Sequence, residues 1–114
     1  MLPSGLAIRD HLLPLIRQRG SLQLVGTVRI ITWEAEPFRF ALRTPFSGLA
    51  KEEGPAPSYQ HALARQQAKP VLPYGLDVWH GGRKVMSLQW SDTGATELIS
   101  FRAGEWRTAA LAIA

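Results

Sequence analysis

Three histidines, His11, His61 and His80, are the residues of this chain whose type suits proton transfer or metal ligation near neutral pH. None stands in a spacing that assembles a site. His80 has a carboxylate three positions earlier, Asp77, but side chains three apart on a strand point to opposite faces, so Asp77 does not orient it. His11 follows Asp10 on a predicted helix, where neighbours diverge by about 100°. His61 is expected one helical turn from Arg65, and a cationic neighbour disfavours a charged imidazole.

The other chemistries fare no better. Paired carboxylates of the kind that cleave glycosidic bonds would come from Glu34 and Glu36, Glu52 and Glu53, or Asp92 and Glu97, and each pair falls in or beside a predicted turn. A serine nucleophile lacks its G-x-S-x-G elbow. Gly81-Gly82 leads from strand to strand, so it aims no helix N-terminus at a phosphate. The absence of cysteine excludes disulfides and thiolate metal sites. The sequence therefore implies no catalytic residue, no metal and no cofactor, and it favours a non-enzymatic role.

Arginine is the one residue type that suggests a binding surface. On a strand from Phe38 to Arg43, Phe38, Phe40 and Leu42 point one way and Arg39 and Arg43 the other. Arg29, on the preceding strand, joins them only if the hairpin pairs with even parity, Arg29 opposite Ala41. With odd parity it falls with the phenylalanines. Arg29, Arg39 and Arg43 are accordingly the candidate contacts to an anion or a nucleic acid, each neutralised phosphate adding a salt-dependent contribution. The plainer expectation is that they pair with Glu34, Glu36, Glu52 and Glu53. Net charge is +4, but ten of the thirteen bases are arginine in an alanine-rich chain, which makes composition a weak argument for nucleic acid. Four tryptophans, Trp33, Trp79, Trp90 and Trp106, are many for 114 residues, yet they lack the basic-aromatic string of an RNA-recognition sheet.

The elements that would carry these residues follow from periodicity and turn chemistry. A helix is predicted from Gly5 to Arg19, capped by Ser4 and ended by Gly20, with Leu6, Ile8, Leu12, Leu15 and Ile16 on its apolar face. Pro14 is expected either to kink it or to open a second, shorter turn. Ser21 to Trp33 and Phe38 to Arg43 read as a hairpin, with Gly26 marking a bulge or bend in the first strand. Residues 44–73 form a Pro-rich connection in which Ser58 caps a possible short helix from Tyr59 to about Ala68.

Residues 74 to 102 then read as a three-stranded meander. Gly81-Gly82 suits a two-residue type I′ or II′ turn, and Ser91-Asp92-Thr93-Gly94 supplies the second reversal. Pairing His80 with Arg83 and Trp90 with Ala95 gathers Trp79, Met86, Leu88, Trp90, Ile99 and Phe101 on one face. The other face, Val78, His80, Val85, Ser87, Gln89, Thr96, Leu98 and Ser100, is half apolar and is expected to be covered by a helix or a second chain. Glu105 to Ala114 fits a last helix or an edge strand, its alanine content favouring the helix, and the Ala109–Ala114 tail is a candidate docking surface.

The chain is thus expected to be one α+β domain, 1–114: an antiparallel sheet of about five strands, from one hairpin and a three-stranded meander, with the N-terminal helix packed on one face. No stretch approaches the roughly 18 apolar residues that span a bilayer, and Arg9, Asp10 and His11 interrupt the only signal-like run, so a soluble, cytoplasmic protein is expected. The leading functional expectation is a protein-binding module, the partner being another chain or a second copy. Nucleic-acid binding and a small enzyme with a histidine base are the alternatives.

Overall fold

The computed structural model describes residues 3–26, 28–45 and 72–114. A helix α1 (Gly5–Arg19) is followed by six strands, β1 (Ser21–Val25), β2 (Val28–Ala35), β3 (Phe38–Pro45), β4 (Tyr74–His80), β5 (Arg83–Trp90) and β6 (Thr96–Phe101), and by a short helix α2 (Trp106–Leu111). The strands form one antiparallel sheet in which spatial order equals chain order. The α+β class is as expected, with six strands in place of about five. The extra strand arises at Gly26, where a positive φ of 61° and the Val25–Val28 pair make a hairpin out of the position read as a bulge. The proposed Tyr59 helix lies outside the described residues.

Helix α1 begins where the Ser4 side chain accepts from Ala7 N–H at 3.1 Å and runs unbroken through Pro14. An interior proline costs about 3 kcal/mol, but Ile8, Leu12 and Ile16 are fully buried one turn apart, and each contributes about 1.5–3 kcal/mol. Burial wins, and Leu6, expected on the apolar face, is exposed instead. Gly20 ends the helix for a steric reason rather than a conformational one. Its φ is an ordinary −79°, but a β-carbon there would lie 2.4 Å from Ile31 Cγ2, so glycine lets the helix end abut β2.

The core lies between α1 and one face of the sheet. Phe38, Phe40 and Leu42 of β3, Leu76 and Val78 of β4, and Met86, Leu88 and Trp90 of β5 are buried there with Trp106 and Ala110 of α2. Helix α2 answers the open question about the C-terminal segment. It packs Trp106 edge-on against Phe101, while the indole N–H donates to Arg102 O at 2.9 Å. The tail beyond it docks within the chain: a ring nitrogen of His11 hydrogen-bonds Ile113 O at 2.6 Å, and Arg19 donates to Ala114 O.

The meander keeps its turns and changes its faces. Gly81 and Gly82 have φ of 60° and 78°, a type I′ turn, and His80 pairs with Arg83 as expected. Two bulges then intervene. Trp79 pairs with Lys84 but Val78 with Met86, leaving Val85 extra; Ser87 pairs with Ser100 but Leu88 with Leu98, leaving Ile99 extra. The first bulge moves Val78 onto the Met86 face and sends Trp79 to the other. The expected grouping of Trp79 with Met86, Leu88 and Trp90 is therefore corrected, and Trp90 pairs with Thr96 rather than Ala95. The half-apolar second face resolves into a polar one.

Candidate binding surfaces

The sheet face opposite α1 carries the polar side chains that the fold brings together. Pairing of β2 with β3 is of odd parity, Arg29 opposite Thr44 and Ile31 opposite Leu42, so Arg29 shares the helix-side face with the phenylalanines. Arg39 and Arg43 remain together on the open face. The three-arginine patch is not assembled.

What joins Arg39 and Arg43 comes from β4 and β5. Gly75, Asp77 and Trp79 alternate onto the open face of β4, opposite Gln89, Ser87 and Lys84 respectively. Ser87 Oγ donates to Asp77 Oδ1 at 2.6 Å, and Lys84 Nζ stands 3.8 Å from Asp77 Oδ2. The Trp79 ring holds two cations, Arg39 Cζ at 5.1 Å and Lys84 Nζ at 5.2 Å from its centroid. Each such contact is worth about 0.5–1 kcal/mol at an exposed site, a bias of a few-fold toward these positions.

Arg43 lies differently. Its guanidinium crosses Gly75 so closely that a β-carbon at position 75 would be 2.9 Å from Nη2 and 3.3 Å from Cζ. Among the described residues it forms no salt bridge and no hydrogen bond. Beside it a concave site of about 330 Å³ opens, lined by Ile30, Ala41, Arg43, Gly75, Asp77, Lys84, Ser87, Leu88 and Gln89. Sequence reasoning found Arg43 but missed Gly75, Asp77, Lys84, Ser87 and Gln89, because only the bulge at Val85 puts Lys84 and Ser87 on one face.

The two histidines among the described residues, His11 and His80, are not gathered into a site. His80 sits on the helix side with its ring 4.8 Å from that of Phe38, on the opposite face from Asp77, as their spacing predicts. His11 is engaged by the C-terminal tail, and His61 lies outside the described residues. Among the described residues no three His, Asp or Glu side chains are grouped to hold a metal ion. No helix among them is long and apolar enough to cross a membrane.

The second surface is the β1 edge. All five of its residues are exposed, with Leu22 at 58%, Leu24 at 57% and Val25 at 50%. It has no charge, no proline and no bulge against β2. The opposite edge, β6, carries Glu97 and the Ile99 bulge, two devices that blunt an edge against further pairing. Searches among protein families, curated proteins and solved structures find no match to this chain.

Proposed function

We propose that this chain is a non-enzymatic protein-binding module that associates by adding a strand to β1, and that the strand it takes is the β1 of a second copy. The unprotected edge carries this reading. An edge strand exposes a row of backbone donors and acceptors, and here no side chain or irregularity turns a partner away.

The sequence of β1 is suited to its own copy. In an antiparallel pair centred on Gln23, Leu22 of one copy faces Leu24 of the other, and Ser21 faces Val25. The four leucines then form one apolar patch on the helix side. Arg29, opposite Leu24 on β2, would stand about 16 Å from its symmetry mate by strand spacing and rise, beyond the range of strong repulsion at physiological salt. The nucleic-acid reading has less support, because Arg29 leaves the open face and Asp77 and Glu34 share that face with Arg39, Arg43 and Lys84.

Sedimentation across a hundred-fold range of concentration tests the proposal. A monomer–dimer equilibrium is expected, shifted to monomer by Leu24→Lys, which places a charge on an already exposed position and leaves the far-UV spectrum unchanged. A strict monomer at every concentration overturns it, as does a dimer indifferent to Leu24→Lys.

A further inference from the structure

We propose that the concave site on the open sheet face binds a small hydroxylated organic anion, with Arg43 as the clamp for its carboxylate or phosphate and Asp77 as the acceptor for its hydroxyl. The site is separate from the β1 edge and does not depend on the association proposed there.

Charge accounting within the site points to an anion. Lys84 is occupied by Asp77 on one side and by the Trp79 ring on the other, and Ser87 takes up the second Asp77 oxygen. Those three groups offset one another. Arg43 is left with no hydrogen bond or salt bridge among the described residues, its guanidinium spread over Gly75 at the wall of a cavity of about 330 Å³. A planar fork of donors held flat against a backbone suits bidentate contact with carboxylate or phosphate oxygens, the geometry that distinguishes arginine from lysine. The volume is at the small end of the range typical of ligand pockets, about 300–1,000 Å³, so the ligand is a few heavy atoms rather than a polymer.

Register supplies the second point of contact. Arg43 pairs with Gly75, and Asp77 is two residues further along β4 on the same face, about 6.7 Å away by strand rise. With a hydrogen bond at each end, that backbone spacing leaves room between the two side chains for an anionic group and a hydroxyl a few bonds apart on one small molecule. Asp77 retains lone pairs after accepting from Ser87, since an ionised carboxylate offers about four acceptor sites. Gln89, directly opposite Gly75, adds an amide that can donate or accept at the same edge. Gly75 and Ala41 keep the floor low, and a methyl at position 75 would displace the guanidinium, which is the flexible end of its side chain.

The test is an amide-resolved NMR titration of the full chain with glycerol 3-phosphate and with glycerate, which share a hydroxylated body and differ in the anion. Inorganic phosphate serves as the probe lacking the hydroxyl. Shifts confined to residues of β3, β4 and β5 on the open face are expected with at least one hydroxylated probe, and the stronger of the two identifies the anionic group. Arg43→Met should abolish binding and Arg43→Lys weaken it at least ten-fold. Gly75→Ala, which moves the guanidinium without touching the core, should weaken it with the melting temperature retained. Asp77→Asn should lower affinity for the hydroxylated probe toward that for inorganic phosphate. Absence of binding by both hydroxylated probes, or binding that survives Arg43→Met, overturns the proposal.

Discussion

Tyr74 stacks on Trp90 with ring centroids 5.6 Å apart, and its hydroxyl lies within reach of Asp92 in the loop that follows β5. The Asp92 carboxylate, as hydrogen-bond acceptor first and as a negative charge besides, holds the Tyr74 phenol above its usual value of 10.0, with a contribution from burial and a small opposing one from Arg17. A raised folded-state value means that the attendant stability is complete below the unfolded phenol's pKa and is lost as pH rises through the folded one. Absorbance titration at alkaline pH of a Tyr59→Phe variant, which leaves Tyr74 as the only tyrosine, should place it above an ordinary phenol. Asp92→Asn should return it toward the ordinary value. The contact is invisible in the sequence, where Tyr74 and Asp92 are far apart, because it depends on the Tyr74–Trp90 pair bringing the end of β5 to the start of β4.

Strands β5 and β6 each carry one residue more than their partners need, and that surplus sets which side chains face the helix. Deleting Ile99 should straighten the β5–β6 ladder while keeping Leu98 opposite Leu88 and Phe101 close to Met86, and the residue lost is 55% exposed. Deleting Leu88 instead should put every later residue of β5 on the wrong face and remove a buried side chain. Thermal melting followed by circular dichroism should show a cooperative transition only modestly lowered in the first case and none in the second. The same surplus marks the limit of what was legible beforehand. Caps, glycine turns and alternation foretold α1, the β3 strand and all the meander turns, because these are local. The bulges were not foretold, because neither extra residue is a glycine. Their only trace is an adjacent apolar pair, Val85-Met86 and Leu98-Ile99, interrupting an alternating strand. Since Arg39 and Arg43 lie on one regular strand, they were readable as a pair. Lys84 and Ser87 joined them only through a bulge, and the parity that removed Arg29 was set by the two-residue Glu36-Pro37 loop.

At the scale of the molecule, every strand lies beside its sequence neighbours, and of the five strand junctions two fall on each side of the β3–β4 seam, with one helix on either side. On one side stand α1 and the three strands β1 to β3; on the other, the three strands β4 to β6 and α2. Helix α1 and the tail beyond α2 tie the halves together, through His11 with Ile113 and Arg19 with Ala114. Expressed as separate fragments, residues 1–45 and 72–114 should be unable to bury Phe40, Leu42, Leu76 and Val78 alone, and should fold on mixing. Circular dichroism of the mixture should show a cooperative melt whose midpoint rises with concentration, where each fragment alone shows none. The covalent connection between Pro45 and Leu72 then has a thermodynamic meaning apart from any structure of its own: it sets the effective concentration at which one half meets the other. Loop-closure entropy changes by only about 0.6 kcal/mol per doubling of length, so insertions in that connection should cost far less than the loss of a single core side chain.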